Sequence, residues 1–139
     1  MTAGILQVHH VETLWPVLEP MLARAVAHST GEVATADVLE AVRDKRMFIA
    51  VAMNEDTGQP DLVAACEVVV YPRLRALHVV LMAGRLMAEN REHYAVLEQA
   101  ARQMECVRVQ ALCQRPAARL FARVGFESLY SLIAKEVSP

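Results

Sequence analysis

The chain has 139 residues, 55% of them hydrophobic, and a formal net charge of -2. That length suits one domain that buries its own core, and a sequence pI of about 6.2 excludes the global basic field of a nucleic-acid binder. The mean hydropathy of +0.25 is high, but no apolar run approaches the roughly 20 residues of a membrane span, so neither nucleic acid nor a membrane is an expected partner.

The opening MTAGILQVHH lacks the charged start and long apolar core of a signal peptide, which points to a cytoplasmic protein. Residues 5–8 read as a short strand. Residues 12–28 follow a helical pattern, with Leu14, Val17, Leu18, Met21, Leu22, Ala25 and Val26 on one side. Pro16 fits the first helical turn, where its missing N–H costs nothing. Pro20 predicts a kink or a restart. Thr35 reads as the N-cap of a short helix to Arg43, with Asp37 in its first turn.

Residues 47–53 (MFIAVAM) and 61–71 (DLVAACEVVVY) are apolar runs separated by the turn-forming NEDTGQP, which predicts an antiparallel hairpin. Glu67 interrupts the second run. Residues 76–83 (ALHVVLMA) are apolar at nearly every position, as in a strand covered on both faces. Gly84 ends that strand and a polar loop follows. Residues 93–105 have amphipathic spacing, with Val96, Leu97, Ala100, Ala101 and Met104 on one side. Residues 107–112 form a second short apolar run. Parallel strands need a crossover, usually a helix, so 76–83 and 107–112 are predicted to lie parallel. The loop 84–91 then caps the C-terminal end of a strand at a helix N-terminus, the place where open α/β sheets bind anionic ligands.

Pro116 opens a last helix with Ala117, Leu120, Phe121 and Val124 on its apolar side, and Gly125 is a natural C-cap. Residues 126–137 alternate well enough for a final strand. Leu120 and Phe126 are expected to be buried against the sheet. The order is β-α-α-β-β-β-α-β-α-β: one α/β domain with a mixed sheet and helices on both sides. Three cysteines without a CxxC argue against a disulfide framework and read as small buried hydrophobes. Five histidines show no metal-ligand spacing, so no metal site is expected.

This order, closing with RPAARLFARVGF at 115–126, resembles the GNAT superfamily of N-acetyltransferases. The closing motif of that family is an amide residue, a short helix with an aromatic, then Gly-Phe; Gln114, Phe121, Gly125 and Phe126 hold those places. ARQMECVRV at 101–109 is similar to the helix-to-strand passage of the family's cofactor motif. The resemblance implies that acetyl-CoA binds where the two parallel strands splay, along Met82, Ala83, Gly84, Arg85, Ala88, Asn90 and Arg91, with Gln114 and Phe121 contributed by the closing motif. It departs in two places. Ala88 and Asn90 stand where the family has glycines that let the backbone approach phosphate. Phe121 stands where many members have a Tyr that protonates the leaving thiolate.

Acetyl transfer also needs a base for the amine. Glu67 and His78, titratable groups inside apolar strands, are the candidate catalytic residues. Tyr71, Tyr94 and Tyr130 are candidate substitutes for the missing hydroxyl. The resemblance implies an acetyl-CoA-dependent N-acetyltransferase acting on a small-molecule or protein amine. The second reading is a non-catalytic binding or assembly protein of the same fold, similar to small ones among the structural genes of tailed bacteriophages, with a virion location. The apolar excess predicts a homo-oligomer or docking on a larger assembly.

Overall fold

The computed structural model describes residues 2–84 and 91–139. Among the described residues there are five strands and four helices: β1 Thr2–Ile5, α1 Val8–Ala27, α2 Thr35–Arg43, β2 Phe48–Met53, β3 Pro60–Val70, β4 Arg75–Gly84, α3 Arg91–Gln103, β5 Arg108–Ala111 and α4 Arg115–Ala122. The strands lie in one sheet in sequence order. All neighbours are antiparallel except β4 and β5, which are parallel as the apolar runs and intervening helix predicted.

Side-chain alternation divides the core into two layers. Ile49, Val51, Val63 and Ala65 meet Val11, Leu18 and Leu22 of α1 and Val38 and Val42 of α2. Ala50, Leu62, Ala64, Cys66, Leu77 and Val79 meet Val96, Leu97, Ala100 and Ala101 of α3, with Phe121 of α4. The two faces swap parity once on β4. Cys66 pairs with Val79 but Ala65 pairs with Leu81, so Val80 is an extra residue, a β-bulge. Upstream of it Leu77 and Val79 face α3; downstream Leu81 and Ala83 face α1.

Several boundaries differ from the sequence reading. The first strand is Thr2–Ile5 rather than 5–8. Helix α1 starts at Val8 and runs unbroken through Pro16 and Pro20, both of which are exposed. Buried Val11, Leu18 and Leu22 hold it against the sheet, so tertiary packing outweighs two missing N–H donors. The N-cap of α2 is Ala34, not Thr35; the Ala34 N–H donates to the Asp37 carboxylate at 2.9 Å. Thr35 instead donates to Glu19 of α1 at 3.1 Å.

The expected final strand at 126–137 is absent: residues 126–139 have no strand or helix. On α4 the buried residue is Phe121; Leu120 and Phe126 are half-buried. Phe126 folds back on Phe121, ring centroids 4.8 Å apart. The one fully apolar stripe of a two-turn helix is narrow, and Phe121 takes it.

Gly84 closes β4 at φ 129, and a Cβ there would lie 2.1 Å from the Asp61 carbonyl oxygen. No side chain fits against a backbone atom at that distance. Gly84→Ala is expected to lower the unfolding free energy by more than the roughly 1–3 kcal/mol of a strained backbone region alone, read as a drop in denaturation midpoint at constant slope.

Candidate active site

The candidate site is built on three adjacent strands. Glu67 of β3 pairs in register with His78 of β4, and His78 with Gln110 of β5. All three side chains share the face that carries α1 and α2, because Leu77, Val79, Val109 and Val68 point to the other layer. The two catalytic candidates drawn from the sequence are therefore cross-strand neighbours, although eleven positions separate them along the chain.

The polar contacts fix the orientation of this row. Arg108 donates from Nε and Nη2 to Gln110 Oε1 at 3.2 and 2.9 Å. A guanidinium only donates, so the amide oxygen must face it and the amide nitrogen must face away. That nitrogen donates to the Tyr71 hydroxyl at 2.9 Å and lies 3.3 Å from His78 Nδ1. Facing an N–H donor, Nδ1 is the unprotonated nitrogen, and the neutral ring carries its proton on Nε2. Burial pushes the His78 pKa below its ordinary 6.5, opposed by the negative charge of Glu67. The guanidinium of Arg108 also sits 5.7 Å from the centre of the Tyr71 ring. The row is thus a carboxylate, a neutral imidazole and a fixed amide, with the Tyr71 hydroxyl hydrogen free to donate.

The sheet opens beside this row. β4 and β5 pair over Ala76–Arg108, Leu77–Val109, His78–Gln110 and Val79–Ala111. Past the bulge, β4 continues to Gly84 without a β5 neighbour. On that side no strand among the described residues pairs with Val80 to Gly84, an edge of the kind that hydrogen-bonds an extended amide-bearing ligand. Met82 packs toward α3 and Ala83 toward α1. Arg91 is exposed at the first residue of α3. Arg85, Ala88 and Asn90 lie outside the described residues.

The region where α3 begins suits a pyrophosphate less well. Glu55, Asp56, Asp61 and Glu92 line one crevice with Asn54 and His93. Asn54 Nδ2 donates to Asp61 at 3.3 Å, and His93 Nε2 lies 3.8 Å from the same carboxylate. Negative charge at the entry of α3 offsets the attraction of a helix N-terminus for phosphate.

The remaining candidates take other positions. Gln114 donates to the His28 carbonyl at 3.0 Å, tying α4 to the end of α1. Phe121 is buried between Tyr94 and Phe126, 5.5 Å from the Tyr94 ring centre. Tyr94 is 3% exposed, its hydroxyl has no hydrogen-bond partner among the described residues, and burial pushes its pKa up. Tyr130 is exposed. Cys66 and Cys106 are buried, but Cys113 is exposed, against expectation. Burial pushes the Cys66 thiol up to about 12, which makes it inert at neutral pH. Sequence reasoning missed Gln110 and Arg108. Their signal was the alternation of polar and apolar residues in RVQA, which puts both on one face.

The fold defined by this geometry, a five-strand mixed sheet with four helices and a parting between its parallel strands, is that of the GNAT acetyltransferases. No family model and no curated relative matches the sequence. Solved structures share the fold over the whole chain. A probable acetyltransferase is 14% identical, with 100% of this chain and 99% of that one covered and a TM-score of 0.72. A ribosomal-protein-alanine N-acetyltransferase from Brucella melitensis biovar Abortus 2308 is also 14% identical, with 99% and 100% covered and a TM-score of 0.69. A glucosamine-6-phosphate N-acetyltransferase from Arabidopsis thaliana is 16% identical, with 99% and 100% covered and a TM-score of 0.63. Among the described residues no helix is long and apolar enough to cross a membrane.

Because burial depresses the His78 pKa, the unfolded chain takes up this proton first as pH falls. The stabilising difference is present above 6.5 and is lost as pH falls through the folded value. Thermal melts across that interval are expected to show stability declining toward acid, with a shallower decline in His78→Gln.

Proposed function

We propose that the chain is an acetyl-CoA-dependent N-acetyltransferase that binds its acetyl donor weakly and acts on an amine. The observation that carries this reading is the cross-strand row Glu67–His78–Gln110 beside the parting of β4 and β5. The fold relatives add support, since those named above are acetyltransferases, one of them for an amino sugar phosphate and one for a protein alanine.

Acetyl-CoA, when bound, supplies the thioester. The chain contributes the rest. The free side of Val80 to Gly84 holds an extended ligand through main-chain groups, while Ala88 and Asn90 in place of glycines and the acid-lined crevice at α3 weaken the phosphate end. Hydrogen bonds to charged groups are worth about 1.5–3 kcal/mol each, so two lost bonds lower affinity by about a hundredfold or more. Glu67 attracts a cationic amine and accepts its proton. His78, held neutral, keeps a second positive charge out of the row and presents Nε2–H to it. Gln110 and Arg108 position that ring. For the departing thiolate, the proton donor in this reading is Tyr94: its hydroxyl has no partner among the described residues and its ring touches Phe121, which by the resemblance to the GNAT superfamily stands where many members have a Tyr that acts as the acid.

The test is a thiol-release assay with acetyl-CoA and a panel of small amines, alongside calorimetry with CoA. Slow turnover and weak binding are expected, with Glu67→Gln lowering kcat by about 10²–10⁴-fold, the range of one positioned base. Tyr94→Phe is expected to leave the melting temperature unchanged or raised, because an unpartnered buried hydroxyl is removed, yet to lower kcat. Absence of CoA binding at millimolar ligand would overturn the reading in favour of a non-catalytic domain.

A further inference from the structure

The polar row across β3, β4 and β5 ends in a positive charge that the fold leaves without a counter-ion. Arg108 lies beside Gln110 on the face that also carries His78 and Glu67. The residue is half-buried, yet no carboxylate among the described residues pairs with it. A partly desolvated charge is costly when it stands alone. The partners it does have are neutral. Nε and Nη2 both donate to one acceptor, Gln110 Oε1, at 3.2 and 2.9 Å, and the Tyr71 ring centre lies 5.7 Å from Cζ.

Those two bonds use one side of the guanidinium fork. Its end, Nη1 with the second hydrogen of Nη2, has no partner among the described residues. That edge takes a carboxylate or phosphate through two parallel N–H bonds. The Tyr71 hydroxyl accepts from Gln110 at 2.9 Å, so its own hydrogen is left to donate beside the fork. Tyr71 is 39% exposed, and Arg73 in the same turn is exposed and carries the same sign of charge as Arg108. The corner is also left open by the helices above it. The α1–α2 layer packs on β4 through Val80, Leu81 and Ala83, downstream of the bulge, and includes no residue of β5.

Glu67 stands at the other end of the row, two strand spacings or about 10 Å away, and it too has no ion pair among the described residues. Two opposite charges on one face, neither neutralised by the other, match a ligand that carries both signs. We infer that Arg108 and the Tyr71 hydroxyl form an oxyanion subsite, and that the acceptor is an amine bearing a carboxylate or a phosphate at its far end. Glu67 receives the amine, as in the function proposed above, on which this assignment rests. The free edge of Arg108 receives the oxyanion, with the Tyr71 O–H as a further donor. An amine with an apolar end leaves that edge to water.

Calorimetry on the full chain without acetyl-CoA is the test, with three probes of matched length: ω-aminohexanoate, ω-aminobutyl phosphate and hexylamine. At least one of the two oxyanion-bearing amines is expected to bind about tenfold or more tighter than hexylamine, as bonds to a charged group allow, and the tighter of the two identifies the oxyanion. Arg108→Met is expected to bring that ratio close to one. Tyr71→Phe keeps both Arg108–Gln110 bonds, so it guards against a disturbed row, and is expected to lower the ratio by about threefold or more. A residue that only orients His78 through Gln110 changes the binding of all three amines alike, so equal losses in Arg108→Met with the ratio intact overturn the inference. Equal affinities in the parent chain overturn it, and so does absence of binding by all three at millimolar amine. Thiol release separates this assignment from the transferase reading. No turnover of any amine, with the binding ratio intact, removes the transferase and leaves the subsite. Turnover of all three at equal kcat/KM removes the subsite and leaves the transferase.

Discussion

The parting of β4 from β5 is the constraint on which the rest of the structure depends. Parallel pairing lasts for only four register pairs, and the bulge at Val80 falls immediately after the last of them. A bulge bends its strand and increases the local twist. It also exchanges the faces of β4, so that the strand serves the α3 layer upstream and the α1 layer downstream. The outcome is a sheet that stays continuous across β1 to β4 but parts between β4 and β5, where no strand among the described residues pairs with Val80 to Gly84 on that side.

The polar row sits just before that opening, and its position follows from the same register. Had the bulge fallen before His78, the ring would have turned into the apolar α3 layer that holds Leu97, and Val79 would have turned out of it. Placed after it, His78 remains on the face with Glu67 and Gln110. Arg108 then determines the direction of the amide, the amide determines which imidazole nitrogen is bare, and partial burial keeps the ring neutral. Each step is set by a donor or acceptor that has only one possible role.

The site is also marked by what opposes it. Acidic residues gather where α3 begins, at the place where this sheet topology usually favours an anion. Gly84 is held there by the Asp61 carbonyl, a steric requirement of the strand end rather than a phosphate-binding role. This glycine therefore has a structural explanation that is complete without a ligand.

Hydrophobic period and turn residues were sufficient to read the element order as far as α4, the β2–β3 hairpin and the parallel β4–β5 pair from the sequence, because these features are local or nearly so. They also singled out Glu67 and His78 as titratable residues within apolar strands. Three features needed the tertiary structure. Helix α1 persists through Pro16 and Pro20 because distant strands bury its other face. Glu67, His78 and Gln110 meet because a bulge and three strand registers align them, and register is a relation between segments that no single segment encodes. The tail at 126–137 has the pattern of a strand but pairs with none among the described residues, since alternation specifies that a segment can pair and only the surrounding edges decide with what.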